Sequence, residues 1–90
     1  MNRIETLASL TKGSKIICDV GCDHGYVVIE ALKNYGVEKA IAADINESPL
    51  NQAKLNAKGL YDKIEFILSD GFKNINYDFD TAIIAGKVGF

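Results

Sequence analysis

The sequence predicts an α/β fold in which short parallel strands alternate with helices. Three observations support this prediction. Apolar runs rich in β-branched residues recur along the chain, and each is followed by a glycine or by a helix start signal. Between these runs, apolar residues recur at helical spacing. The 90 residues, 48% of them hydrophobic and 24% charged, are enough for one domain at most.

Seven elements follow from these patterns. In chain order they are a helix over 2–11, a strand over 15–20, a helix over 25–35, a strand over 39–44, a helix that begins at Ser48-Pro49, a strand over 63–69 and a strand over 79–85. Each helix ends at a glycine suited to a left-handed cap, at Gly13, Gly36 and Gly59. Ser48 is the predicted N-cap of the third helix, with Pro49 at its first position. The first helix is expected mainly to cover the core, and the alternation over 63–69 is typical of an edge strand.

The end of the first strand indicates the class of ligand. A parallel strand that turns sharply into a helix places a ligand at its carboxyl end. The dinucleotide fingerprint needs a second glycine near the pyrophosphate, but Asp23 stands there, so NAD or FAD is disfavoured. A phosphate-binding P-loop is also excluded, because no Gly-Lys-Ser/Thr follows. S-adenosylmethionine, which has an ammonium group and a ribose but no phosphate, suits the residues better. Asp19 and Asp23 can face its amino-acid end, while Gly21 and Gly25 admit the backbone close to it.

Two later strands also end at carboxylates. Asp44 ends the second strand, where an acidic residue can bind ribose hydroxyls, although a turn or cap aspartate is the alternative. Asp70 follows the third strand and can accept from an adenine amino group beside Gly71, with a simple Asp-Gly turn as the alternative. Right-handed crossovers bring parallel strand ends to one edge of a sheet, so these carboxylates predict one site.

Charge and composition exclude several other classes. The net charge is −2 and no basic run is present, which argues against a nucleic-acid clamp formed by this segment alone. No apolar run is long enough to span a membrane and no secretory signal is evident, so a cytoplasmic location is expected. One histidine and two cysteines cannot fill a tetrahedral metal site, and no metal is predicted. We interpret Cys18 as apolar filler and Cys22 as a loop residue.

The order and spacing of these motifs resemble the class I, Rossmann-like S-adenosylmethionine methyltransferases, and most closely the bacterial tRNA (adenine-22-N1)-methyltransferase, or TrmK, family. The matching stretches cover almost the whole chain and comprise 19–26, 42–46, 49–53, 69–71 and 80–86. The Asp23-His24 pair is the most specific of them. The resemblance implies a truncated Rossmann-like parallel sheet with four strands in the order 3-2-1-4 and helices on both faces. Residues 1–90 would then form a single half-domain that lacks the family's later strands and helical C-terminal part.

The resemblance also implies a reaction and a set of cofactor contacts. The reaction is methyl transfer from S-adenosylmethionine to N1 of an adenine in tRNA, which needs no strong base, and no catalytic residue is assigned. For His24, a structural role capping the helix is an alternative to a ligand contact. The implied cofactor-binding residues are Asp19, Gly21, Asp23, His24, Gly25, Asp44, Ile45, Asn46, Asp70, Gly71 and Ala85.

The chain departs from the family pattern in two ways. Lys87-Val88 follow Ala85-Gly86, where the family motif resembles Ala-Gly-Met-Gly-Gly. The resemblance also implies a later helical part that would help to hold tRNA, which these 90 residues are not expected to include. We therefore expect a cofactor-binding half with little or no methyl transfer alone. An exposed apolar edge over 82–85 predicts a homodimer or higher assembly through the fourth strand. The alternatives are a non-enzymatic α/β interaction or regulatory module and, last, a NAD-binding half-domain.

Overall fold

The computed structural model describes residues 2–84 and 87–89, which form one five-stranded sheet with three α-helices. The elements are α1 (Arg3–Ser9), β1 (Ile16–Val20), α2 (Tyr26–Asn34), β2 (Lys39–Asp44), α3 (Glu47–Asn56), a 3-10 turn (Tyr61–Lys63), β3 (Ile64–Leu68), β4 (Thr81–Ile84) and β5 (Lys87–Gly89). The strand order is β3-β2-β1-β4-β5. The predicted parallel sheet of four strands in the order 3-2-1-4 is therefore confirmed. Within the described residues, no helix is long and apolar enough to cross a membrane.

The four parallel strands end level with one another. Val20 at the end of β1 pairs with Ala43 on one side and Ile84 on the other. Asp44, the last residue of β2, pairs with Leu68 at the end of β3. The loops that leave β1, β2 and β3 therefore start from the same edge of the sheet, with β1 in its interior.

One face of the sheet carries the hydrophobic core. Alternate strand residues on this face join a single buried cluster with residues of all three helices. Its members include Ala8, Ile17, Val28, Ala31, Ala40, Ala42, Leu50, Ala53, Ile64 and Ile83. The position of β3 at the sheet edge agrees with its alternating pattern, and its Glu65 is exposed. Burial on this face is the main force that holds the helices to the sheet.

The opposite face is covered differently. β3 lies at one edge of the sheet, and β4 lies on the far side of β1. A right-handed connection from β3 to β4 must therefore cross this second face. Residues 69–80 form turns and bends there, not a helix. Tyr77 and Asp78 from this segment line a cavity together with Ile16 and Ile41. Within the described residues, helices thus pack on one face only, which differs from the expected cover on both.

The third helix begins earlier than the sequence pattern predicts. Asn46 is its N-cap in an extended conformation and Glu47 is its first residue, whereas Ser48 was expected as the cap. The Asn46 N–H donates to Asp44 Oδ1 at 2.9 Å, and this bond fixes where the helix starts. Pro49 then lies in the first turn, where a missing N–H leaves no intrahelical bond unmade.

The outer edge of β4 is not free, so that prediction is wrong. β5 pairs with it antiparallel, with Ile83 opposite Val88. The backbone of β4 therefore has neighbours on both sides within this chain. The homodimer stays a prediction, but an open β4 edge no longer supports it.

Candidate functional site

The loop after β1 folds back against β2. The N–H groups of Gly21 and Cys22 both donate to the carbonyl oxygen of Ala43, at 2.8 and 2.9 Å. Gly21 has a φ of +82°, and a Cβ added there would meet no heavy atom within 4 Å. Glycine is thus required here for its backbone conformation, and the space beside it is open. Asp23 follows with a φ of +53°, an uncommon conformation that aspartate tolerates better than most residues.

Asp44 fastens this loop to the end of β2. Its Oδ2 accepts the Asp23 N–H at 3.0 Å, and its Oδ1 accepts the Asn46 N–H. The residue is only 7% exposed. The sequence pointed to ribose hydroxyls as partners and missed this clamp, because the bond to Asp23 joins residues far apart in the chain. The next residue, Ile45, is 60% exposed at the same edge.

Gly25 has a packing reason that the sequence did not reveal. It is the N-cap of α2 with a φ of +78°. A Cβ added there would lie 3.0 Å from the Cβ of Ala53 in α3. The neighbouring His24 carbonyl accepts a hydrogen bond from Asn56 Nδ2 at 3.0 Å. Close approach of α2 and α3 therefore explains this glycine without a cofactor contact.

Asp19 is a buried residue whose carboxylate makes no hydrogen bond with another described residue. Among the described residues no fully enclosed side-chain oxygen lacks a hydrogen-bond partner, so the Asp19 oxygens keep access to a neighbouring cleft. The residue is 4% exposed, and the hydrogen bonds recorded within 2–84 and 87–89 do not include its side chain. Burial and, to a smaller extent, the charges of Asp44 and Asp23 together raise the pKa of Asp19 to about 7. The three carboxyl groups are therefore close enough to interact. A cation placed beside Asp19 would stabilise its ionised form.

A cleft of about 280 Å³ opens between α1 and the loop after β1. Its lining residues are Arg3, Ile4, Leu7, Asp19, Gly21, Cys22, Asp23, His24, Tyr26, Val27 and Ile83. Helix α1 was expected mainly to cover the core, and none of its residues was singled out as cleft lining. A second cavity of about 290 Å³ lies near the beginning of the strands, beside Lys39 and Tyr77. The two volumes are similar, so position and chemistry, and not size, select the first as the candidate site.

His24 and Tyr26 form one rim of the cleft. Their rings stack with centroids 5.8 Å apart, and His24 Nδ1 lies 3.1 Å from Asp23 Oδ1. Gly25, and not His24, occupies the N-cap position of α2. The imidazole is partly exposed and faces solvent and cleft, so the helix-capping alternative is not the arrangement observed.

Asp70 and Gly71 lie in a turn after β3. Asp70 Oδ2 is 3.3 Å from Lys73 Nζ, and both side chains are largely exposed. Ser69 Oγ donates to the Gly71 carbonyl and accepts the Asn74 N–H. Neither Asp70 nor Gly71 is among the residues that line the cleft, and the turn accounts for both. Their predicted adenine contact stays a prediction, and Ala85 lies outside the described residues.

The two cysteines are buried and unreactive. Burial raises the pKa of Cys18 to about 11 and that of Cys22 to about 12. Both therefore remain thiols at neutral pH, and neither is a nucleophile. Cys22 was interpreted as a loop residue, but it also belongs to the hydrophobic core cluster.

A family model described as "Methyltransferase domain" matches residues 1–89. The chain belongs to this methyltransferase-domain family. A putative tRNA methyltransferase of Mycoplasma pneumoniae is 36% identical to it, with 97% of this chain and 43% of that protein aligned. The tRNA (adenine(22)-N(1))-methyltransferase of Bacillus subtilis is 31% identical, over 97% of this chain and 38% of that protein. The chain thus spans about two fifths of the length of these curated relatives.

Solved structures of the same group share the fold. TrmK of M. capricolum, in complex with S-adenosylhomocysteine, has a TM-score of 0.84 and 34% identity, covering 93% of this chain and 40% of that one. A Streptococcus pneumoniae protein described as a putative tRNA (m1A22) methyltransferase, in complex with S-adenosylmethionine, has a TM-score of 0.80 and 31% identity. That match covers 92% of this chain and 41% of the other. The resemblance to the TrmK family is therefore confirmed.

Proposed function

We propose that this chain is the S-adenosylmethionine-binding part of a tRNA adenine-N1 methyltransferase. The observation that carries the proposal is Asp19, a buried carboxylate without a described partner, which lines a cleft at the carboxyl edge of the sheet. The relatives with cofactor or product bound, described above, support the choice of ligand.

The charged groups and the open space of the cleft fit this cofactor. Asp19 and Asp23 present negative charge to a ligand that carries a sulfonium and an ammonium group. The same charge would repel a pyrophosphate, so a dinucleotide fits poorly. Gly21 leaves open space for a group close to the backbone. Asp44 does not line the cleft itself but lies beside it, bonded to Asp23. It uses each carboxylate oxygen for one backbone N–H, and each oxygen can accept a further bond from a ribose hydroxyl.

The exposed side chain of Ile45 suits the apolar face of an adenine ring beside that ribose. Asn46, Asp70 and Gly71 lie on the adjoining loops and are retained in the proposal as weaker contacts. His24 and Gly25 act mainly by shaping the rim and by allowing α2 to approach α3.

The cofactor, when bound, supplies an electrophilic methyl group on a sulfonium. The lone pair of adenine N1 forms the new C–N bond while the C–S bond breaks and its electron pair returns to sulfur. No proton has to be removed from N1 before the transfer. The residues of this chain would therefore contribute by orienting and holding the cofactor, and catalysis would come mainly from alignment.

Recognition of tRNA is assigned to sequence beyond these residues. N1 lies on the pairing edge of adenine, so the base must be turned out of its stack. This chain has a net charge of −2, whereas contact with phosphates needs clustered basic residues. We therefore propose that the chain transfers little or no methyl alone, acts in the cytoplasm where tRNA is found, and needs the other part of the enzyme for substrate.

Titration calorimetry with S-adenosylmethionine, S-adenosylhomocysteine and NAD tests the proposal. We expect the first two to bind and NAD not to bind. Asp19→Asn should weaken both by roughly 10-fold, since an ion pair with the ligand ammonium is lost. Asp78→Asn, a change at an exposed aspartate that does not line the cleft, is the matched control and should leave affinity unchanged.

Two results would contradict the proposal. Absence of binding of either sulfur ligand would favour a non-enzymatic module that has kept the fold. Binding of NAD in preference to S-adenosylhomocysteine would favour a dinucleotide site. Equal effects of Asp19→Asn and Asp78→Asn would remove Asp19 from the site while leaving the ligand class intact.

A further inference from the structure

Arg3 is the only arginine in the sequence, and it lies in the wall of the cleft. It is the first residue of α1, which contributes Ile4 and Leu7 to the same wall. The other walls carry Asp19 and Asp23. A positively charged side chain therefore shares one cavity of about 280 Å³ with two carboxylates.

The stability of α1 does not explain a cation at this position. The helix dipole favours acidic residues in the first turn and disfavours basic ones. The turn is already capped, because the Asn2 side chain accepts the Glu5 N–H at 2.9 Å. In the part of the chain that the structure describes, the close contacts between basic and acidic side chains are His24–Asp23 and Lys73–Asp70, and neither involves Arg3.

The proposed ligand carries one group that the carboxylates of the cleft cannot bind. Its methionine tail is a zwitterion, with an ammonium group and a carboxylate on the same carbon. Asp19 attracts the ammonium, but Asp19 and Asp23 together repel the carboxylate. A guanidinium binds a carboxylate through two parallel hydrogen bonds, which no other lining side chain can offer.

The geometry points to Arg3 as the residue that binds the α-carboxylate of the cofactor, opposite Asp19 on the ammonium. This assignment rests on the proposed function and adds to it a residue that sequence motifs do not mark. It also gives α1 a role in ligand specificity, because ligands without the amino-acid tail gain nothing from Arg3.

Two ligands separate this role from a general effect on the site. S-adenosylhomocysteine has the amino-acid tail, and 5′-methylthioadenosine has the same nucleoside and thioether without it. Affinities of both are measured by calorimetry for the unmodified chain, Arg3→Gln, Arg3→Lys and Lys12→Gln. Lys12 is exposed and does not line the cleft, so its variant controls for the loss of one positive charge.

We expect Arg3→Gln to weaken S-adenosylhomocysteine by roughly 10-fold and methylthioadenosine by less than about 2-fold. Arg3→Lys should fall between, because a lysine keeps the charge but not the paired hydrogen bonds. Lys12→Gln should change neither affinity.

Two results would overturn the assignment while leaving the proposed function standing. They are an equal loss for both ligands and no loss for either. If the unmodified chain binds neither ligand, the proposed function fails and the role of Arg3 fails with it.

Discussion

The two ends of β1 each involve an aspartate, and the two carboxylates are held in opposite ways. Where the strand begins, Asp80 accepts the N–H groups of Ile16 and Lys15 at 2.6 and 2.7 Å. These bonds lower the pKa of Asp80. Where the strand ends, Asp19 is buried, has no partner among the described residues and has its pKa raised to about 7. The first carboxylate is bonded within the fold, whereas the second is the one that we propose binds the cofactor.

Because of this difference, neutralising Asp19 should stabilise the chain and neutralising Asp80 should destabilise it. The largest effect is expected at Asp19. Its pKa of about 7 in the folded state lies above the ordinary value of 3.8. The folded chain therefore binds more protons between these values, and stability falls as pH rises through that window. Asp19→Asn removes the cost of ionising this buried carboxyl. The free energy of unfolding should therefore rise by an amount on the order of 4 kcal/mol at pH 8, where nearly the whole cost is present.

Thermal unfolding of both chains at pH 5 and pH 8 measures this effect. The advantage of Asp19→Asn should be less than half as large at pH 5 as at pH 8. An advantage that does not change with pH would mean that the Asp19 carboxyl is solvated in the folded chain, and the contrast between the two ends would disappear.

A second prediction concerns how tightly α2 and α3 pack beside the candidate site. Gly25→Ala places a Cβ 3.0 Å from that of Ala53 in a residue whose φ is +78°. Backbone strain and overpacking together should cost about 2 kcal/mol. Gly59→Ala is the matched control, because Gly59 also has a positive φ but open space around it, and about 1 kcal/mol is expected there. Chemical denaturation gives both values, and equal losses would show that α3 can yield at this contact.

Most of the fold could be predicted from local pattern. The apolar runs and glycine ends specify β1, β2 and β3, and right-handed connection then fixes the order of the parallel strands. β5 was not predicted, because Lys87–Gly89 is short and has no strand pattern of its own. Its pairing with β4 depends on proximity created by the fold. The start of α3 was misplaced for a different and local reason, since Ser48-Pro49 resembled a cap signal while the Asp44 carboxylate accepts the N–H of Asn46, the actual N-cap.

The candidate site could be predicted only in part. Asp19, Gly21 and Asp23 were predicted site residues and do line the cleft, because they lie in one continuous stretch at the end of β1. Arg3 was missed because nothing in a helix pattern shows which cavity its first residue will face. The clamp between Asp44 and Asp23 was missed as well, since it joins two loops that only the folded sheet brings together.

The smallest effect is expected at the beginning of β1. Asp80→Asn keeps one acceptor but removes the charge that strengthens the bonds to the Lys15 and Ile16 N–H groups. Because its pKa is lowered in the folded state, Asp80 stabilises the chain above its unfolded pKa, and that contribution is lost as pH falls through the folded value. The variant should melt slightly below the unmodified chain at pH 7, and the gap should close in acid. Asp78→Asn, with no hydrogen bond recorded in the described region, should show no such gap. A gap for Asp80→Asn that persists at low pH would mean that hydrogen-bond geometry, and not charge, holds the beginning of β1. The contrast between the two aspartates would then depend on Asp19 alone.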